Sequence, residues 1–191
     1  MKILTIQGSP RPEGNTQAVL DIILAAAAEA GATTEVIQLS EYQELAGCIE
    51  CFACQQTPDA PGCVVEDEMQ EVLAKVLEAD VIVFATPVFC WSVTWYLKMA
   101  LDRFYCLFKF ESETEVRCLI AGRKMAAVIT AGGDEKDGAD LAAETCRRMA
   151  EFSKNEWLGA FVAAGVKDVE GIRKDAKLRE RAEAFGRKLA S

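Results

Sequence analysis

Lys2-Ile3-Leu4-Thr5-Ile6-Gln7-Gly8-Ser9-Pro10-Arg11-Pro12-Glu13-Gly14-Asn15-Thr16 opens the chain as an apolar strand that runs through a short polar turn into a helical apolar pattern. Such a strand–turn–helix suits a phosphate cradle. Unpaired backbone N–H groups at a helix start, small donors and the positive end of the helix dipole all favour an anion there. Gly8 and Gly14 permit tight backbone, Ser9, Asn15 and Thr16 supply donors, and Arg11 supplies a fixed charge in a chain of net charge −9. The same residues also suit an ordinary turn in which Asn15 or Thr16 caps the helix and the prolines stiffen the loop. Two familiar nucleotide loops do not match. A P-loop ends in Gly-Lys-Ser/Thr, where this chain has Gly14-Asn15-Thr16, and a dinucleotide fingerprint needs Gly-x-Gly after the strand, where Ser9 and Pro10 follow Gly8. The loop therefore fits a mononucleotide better than a dinucleotide or a triphosphate.

Outward from this stretch, strand and helix patterns alternate. Strand-like runs fall at Ile3–Ile6, Glu35–Leu39, Val81–Ala85, Met125–Thr130 and Leu158–Ala164. Helical patterns lie between them, the first with Val19, Ile22, Ile23, Ala26 and Ala30 on one face. Others cover Asp67–Ala79, Thr94–Tyr105, Ala139–Phe152 and a charged last helix from about Asp168 to Leu189, with Val169, Ile172 and Ala176 on its buried side. The alternation predicts an α/β fold: a doubly wound, five-stranded parallel sheet with helices on both faces. With strand order 2-1-3-4-5, ligands sit beyond the carboxyl ends of strands one and three. The loop after strand three, Thr86-Pro87-Val88-Phe89-Cys90-Trp91, suits a flat ring with hydrogen-bonding edges, and equally a turn packed on the neighbouring helix. Gly132 and Gly133, after strand four, would let backbone approach a ligand at the same edge, and equally suit a simple turn.

The 191 residues, 51% hydrophobic and 27% charged, fit a single domain over 1–191 with an insertion at about 40–67. Net negative charge argues against nucleic acid and anionic membrane as partners. The run from Val81 to Trp91 is too short to span a bilayer, and no secretory pattern precedes the first strand, so a cytoplasmic location is expected. Eight cysteines in that setting read as thiols or metal ligands rather than a disulfide framework. There is no histidine, which removes Ser-His and Cys-His nucleophiles and His-ligated metals, and shifts the expected chemistry to a bound cofactor.

The Gly8–Thr16 segment, Thr86-Pro87-Val88-Phe89 and Leu97-Lys98-Met99-Ala100-Leu101-Asp102-Arg103 resemble the flavodoxin-fold NAD(P)H-dependent FMN reductases, and more narrowly their iron-sulfur flavoprotein branch, over residues 1 to about 153. The resemblance implies FMN, with its phosphate at Ser9, Arg11, Asn15 and Thr16 and its ring against Thr86, Pro87, Val88, Phe89, Cys90, Trp91, Gly132 and Gly133. It also implies NAD(P)H as donor and a homodimer or homotetramer. Where the family carries small residues beside the flavin, this chain has Cys90, Trp91, Trp95 and Tyr96, so the acceptor does not carry over.

Cys48, Cys51 and Cys54 stand at C-x₂-C-x₂-C, the compact half of a bacterial ferredoxin motif, and Cys63 offers a fourth thiolate. This spacing favours a cubane 4Fe–4S cluster over zinc among metal readings, and free thiols in a flexible loop remain the alternative. Eight residues separate Cys54 from Cys63, a longer gap than the branch usually shows. Cys106, Cys118 and Cys146 read as packing residues. The expected function is an FMN-dependent oxidoreductase that passes hydride or electrons from NAD(P)H or a reduced partner to a small acceptor or a cluster. The alternatives are a flavodoxin-like electron carrier that docks ferredoxin-like redox proteins and, more distantly, a zinc-stabilised interaction domain.

Overall fold

A computed structural model describes residues 1–112 and 114–191. In chain order the elements are β1 (Lys2–Gln7), α1 (Asn15–Glu29), β2 (Thr33–Gln38), α2 (Met69–Glu78), β3 (Val81–Pro87), α3 (Trp95–Arg103), β4 (Phe108–Phe110) and β5 (Val116–Cys118). They are followed by β6 (Lys124–Thr130), α4 (Asp140–Phe152), β7 (Glu156–Ala163), α5 (Val169–Lys174) and α6 (Ala176–Leu189). The main sheet is parallel throughout, in the order β2-β1-β3-β6-β7, which is the flavodoxin-like arrangement expected.

The central strands carry no polar face. Val81 to Ala85 are wholly buried, as are Ile3, Leu4 and Ile6, because helices cover both sides of the sheet. Leu4, Ile6, Ile82 and Phe84 point into a core shared with α2, α3 and α4, whereas Ile3, Val81 and Val83 point to the opposite core under α1, α5 and α6. Alternate residues of each strand thus serve opposite layers. α6 lies so close to α1 that any side chain at Gly186 would overlap the Ile23 carbonyl.

The charged C-terminal stretch is two helices, not the single one expected. Asp168 accepts a hydrogen bond from Gly171 N at 2.7 Å, and Asp175 accepts one from Leu178 N at 2.9 Å, so each caps its own helix. Asp175 has the extended backbone of an N-cap, which breaks the run and rotates Ala176 into solvent; Leu178, Ala182 and Leu189 take the buried side instead. Ala30 is likewise exposed, since α1 ends at Glu29. The antiparallel β4–β5 pair was not expected: three-residue strands carry too little alternation to register. Between β2 and α2 only two 3₁₀ turns form, at Leu39–Glu41 and Ala53–Gln56. No helix among the described residues is long and apolar enough to cross a membrane.

Candidate functional site

The loop after β1 is pinned from three sides. Gly8 N donates to Ala85 O at 2.8 Å, Thr94 Oγ1 donates to Gly8 O at 2.6 Å, and Gln38 Nε2 donates to Ser9 O at 2.6 Å. A Cβ on Gly8 would lie 2.7 Å from Leu97 Cβ, so the close approach of this loop to the start of α3 requires glycine. Gly14 holds the N-cap position of α1 in extended backbone with no side-chain cap. The first-turn N–H groups of a 15-residue helix are therefore left without a side-chain acceptor, which is the arrangement that receives an anion. Arg11 is exposed and folds back over this helix mouth, its Nε 3.5 Å from where a Gly14 Cβ would stand.

A cavity of about 370 Å³ joins Arg11, Asn15 and Thr16 to Pro87, Val88, Phe89, Thr130, Ala131 and Gly132. A second, of about 320 Å³, shares Val88, Ala131 and Gly132 and adds Cys90, Trp91, Gly133 and Asp137. Each is within the range of a small-molecule site, and together they bring most of the expected residues onto one rim. A larger concavity of about 640 Å³ lies between Pro10–Asn15 and Lys167–Val169 and lacks the two ring-suited loops. Ser9 and Thr86 line neither of the two smaller cavities. Ser9 Oγ is engaged with Arg11 N and O, and Thr86 Oγ1 with Pro87 O and Thr94 N, so their side chains shape the loops rather than face the opening. Thr16 Oγ1 and Thr130 Oγ1 share a hydrogen bond at 2.8 Å that ties α1 to β6. Val166 and Lys167 also line the first cavity and were not foreseen. Gly165-Val166-Lys167 follows β7 after one intervening residue, and the rule that ligands sit at strand carboxyl ends applied to that loop would have found them.

The ring-side walls are clamped. Phe89 and Ser92 exchange both backbone hydrogen bonds at 3.0 Å around Cys90 and Trp91, whose φ values of 48° and 59° lie in the left-handed region. A two-residue turn of this kind normally recruits glycine or asparagine, and each L-residue there costs roughly 1–2 kcal/mol. Trp91 Nε1 donates to Asp137 Oδ1 at 2.9 Å, and Gly138, at φ +98°, allows the 133–139 segment to approach; a Cβ there would stand 2.6 Å from Trp91 Cα. Strain of this sort persists where surrounding contacts enforce it, and it clusters at functional sites.

The cysteine segment leaves β2 and folds across the far end of α3. Cys48, Cys51, Cys54 and Cys63 line one narrow cavity of about 20 Å³ together with Arg103, Tyr105 and Cys106. α3 touches the phosphate loop through Thr94 and Leu97 at its start and the cysteine cavity through Arg103 at its end. Its nine residues place the two about 13 Å apart along the helix axis. Arg103 and Asp67, both buried, form a forked pair at 2.6 and 3.0 Å, and Arg103 also donates to Ala46 O and Val65 O. Burial alone would raise the Asp67 carboxyl, but the Arg103 guanidinium and the Ala46 N–H outweigh it and hold the carboxyl below its ordinary range. No three Cys, Asp or Glu side chains among the described residues gather as a site for one metal ion. A single ion needs such a gathering, whereas a cubane takes one thiolate per iron. Burial pushes the Cys106 and Cys146 thiols up to about 12 and also raises Cys118, in keeping with packing roles.

Residues 1–165 match the protein family described as NADPH-dependent FMN reductase. The chain is 43% identical over 103 residues to an iron-sulfur flavoprotein of Methanocaldococcus jannaschii, a match covering 54% of this chain and 51% of that protein. It is 31% identical over 140 residues to an iron-sulfur flavoprotein of Methanosarcina thermophila, covering 73% of this chain and 68% of that one. The matched region thus spans about half to two thirds of these relatives. In fold it resembles an FMN-dependent NADH-azoreductase of Bacillus anthracis solved with FMN, with a TM-score of 0.74 at 19% identity over the full length of both chains.

Proposed function

The chain belongs to the NADPH-dependent FMN reductase family, and from that membership we propose that it binds FMN and transfers hydride or electrons from NAD(P)H, or from a reduced partner, to a small acceptor. The observation that carries this reading is the meeting of α1's uncapped start, Arg11 and the two glycine- and aromatic-lined loops in adjoining cavities that share Val88, Ala131 and Gly132. A mononucleotide's phosphate has its donors at one end, and a flat ring has apolar walls and free backbone amides at the other.

In this reading the residues bind, orient and exclude water. Arg11 and the N–H groups of Asn15 and Thr16 hold the phosphate, with Lys167 adding a second cation at the same cavity. Pro87, Val88 and Phe89 support one edge of the ring, and Gly132 and Gly133 admit backbone to another. Cys90 and Trp91, the latter held by Asp137, close the outer wall. Bound FMN supplies two-electron hydride chemistry and one-electron transfer, so no side-chain acid or base is required of the protein.

The four cysteines suit a 4Fe–4S cluster in donor chemistry and in lining a common cavity. At about 20 Å³ the cavity has room for about one water, so the Gly47–Phe52 arm, which has no helix or strand, would move outward around a cluster. The name iron-sulfur flavoprotein carried by the two relatives supports this assignment. The eight cysteines are free, which fits a reducing compartment such as the cytoplasm. Phe89 and Trp91, exposed at the two cavities, and Trp95, exposed at the start of α3, favour a homo-oligomer that covers them. The net charge of −9 favours a second reading, a flavodoxin-like carrier that docks basic redox proteins.

Steady-state oxidation of NADH and NADPH by FMN-loaded protein, with quinone, flavin or ferricyanide as acceptor, tests the enzyme reading. Turnover with at least one acceptor is expected. Tight flavin, no turnover and rapid reduction by a ferredoxin would support the carrier instead. An anaerobic visible spectrum with iron and acid-labile sulfide analysis tests the cluster, and Cys51→Ala is expected to abolish it while sparing flavin.

A further inference from the structure

Arg103 and Lys109 are long cations buried almost completely, 1% and 3% exposed, beside the cysteine cavity. Arg103 binds backbone carbonyls on both sides of the cysteine segment, and Lys109 binds two within it. Arg103 reaches Ala46 O at 2.8 Å and Val65 O at 3.4 Å, bracketing Cys48 to Cys63, and Lys109 Nζ reaches Cys54 O at 2.8 Å and Pro61 O at 3.2 Å. Arg103 is neutralised by Asp67. Lys109 meets only carbonyls and has no carboxylate partner among the described residues. A buried, unpaired charge is costly, and native interiors hold one where an anion neutralises it.

The guanidinium of Arg103 adds a second sign of an absent partner. Both of its terminal nitrogens have acceptors, but its Nε–H is buried with none. The side chain lines the cavity together with the four cysteines, and the Cys63 thiol lies close enough to act on the guanidinium through both charge and hydrogen bonding, without meeting Nε–H at hydrogen-bond geometry. An orphan donor on the cavity wall, and behind it an ammonium that holds Cys54 O without a carboxylate partner, call for an anionic acceptor of several atoms. A 4Fe–4S core bound by four thiolates is net negative and presents sulfur acceptors.

We propose that Lys109, through its uncompensated charge, and Arg103, through its free Nε–H, form a buried strap that stabilises the negative charge of a thiolate-bound iron–sulfur cluster at Cys48, Cys51, Cys54 and Cys63, and so raises its reduction potential. This rests on the cluster assignment above and gives the two cations the role of positioning residues. A fixed positive charge in a low-dielectric wall stabilises the reduced, more negative cluster over the oxidised one. Removing it therefore makes the cluster harder to reduce. The flavin potential stays unchanged, because its cavities are lined by neither residue.

The test is an anaerobic redox titration, followed by electron paramagnetic resonance, of the full chain loaded with FMN and reconstituted with iron and sulfide. Lys109→Met is expected to shift one-electron reduction of the cluster at least tenfold toward the oxidised form, about 59 mV more negative. Lys109→Arg keeps the charge and is expected to restore the wild-type potential. Arg103→Lys, which keeps charge but removes Nε–H, shifts it in the same direction as Lys109→Met by a smaller factor. Loss of the cluster in Lys109→Met that Lys109→Arg repairs also supports the strap, and loss that it does not repair overturns it. A wild-type protein that takes up no iron overturns the cluster assignment and the strap with it. A wild-type cluster whose potential is the same in Lys109→Met and Arg103→Lys overturns the strap alone.

Discussion

Replacing Gly132 with alanine separates the flavin site from the fold. A Cβ at this position would meet no protein atom within 4 Å, and the backbone is not left-handed, so the folded apoprotein accepts the methyl without strain. Loss of glycine's freedom in the unfolded chain then stabilises by about 0.4–1 kcal/mol, a rise of roughly 1–4 °C in Tm for a chain of this size. Gly132 lines both adjoining cavities, and the added methyl enters the space assigned to the ring. Crowding a packed surface by one methyl costs about 1–3 kcal/mol, or roughly 5- to 150-fold in Kd. Titration of FMN by fluorescence quenching, with thermal melting of the same apoprotein, reads the two effects apart. Gly47→Ala is the control, since its Cβ is equally unobstructed but lies on the cysteine segment, and it should leave FMN affinity alone. An FMN affinity within twofold of wild type in Gly132→Ala, with folding intact, would refute the placement of the ring.

Arg11→Ala should weaken FMN about tenfold while leaving riboflavin affinity unchanged, because an exposed charge-assisted contact to the phosphate is worth only about 1.5 kcal/mol; equal losses for both ligands would place Arg11 elsewhere. Gly8→Ala forces a methyl against Leu97 and Thr94 and should lower the apoprotein Tm by roughly 2–12 °C, and an unchanged melt would show that the loop does not touch α3. Asp67 has a depressed carboxyl pKa, so its contribution is present above about pH 4, the unfolded value, and fades as pH falls through the lower folded value. Asp67→Asn should lose about 3–5 kcal/mol at pH 7 by leaving Arg103 unpaired, and the gap from wild type in thermal melts should narrow below pH 4.

The sheet was legible because parallel strands buried on both faces read as continuous apolar runs, as Val81–Ala85 does, and helices read by period. The convergence of the loops after β1, β3 and β6 followed from strand order alone. What escaped was either too short or determined by tertiary contact. Asp175 looks like any charged residue of a solvated helix until its carboxylate is seen on Leu178 N. The left-handed Cys90-Trp91 turn carries no glycine to announce it, and Gly138, which permits it, lies 47 residues beyond Trp91. The path of the cysteine segment away from the phosphate rim was equally invisible in the sequence. The segment leaves β2 at that rim, since Gln38 holds Ser9, but Arg103 draws it to the other end of α3. Lys109 sits between two phenylalanines of a short strand, and nothing in that pattern signals a buried ammonium.

Whether FMN lies with its phosphate at the start of α1 is decided by titrating the apoprotein with FMN while following flavin fluorescence. Quenching is expected to saturate at about one flavin per chain and to weaken when riboflavin, which lacks the phosphate, replaces FMN. Fluorescence that stays unquenched as folded protein is added, from a preparation that is itself colourless, would contradict that placement.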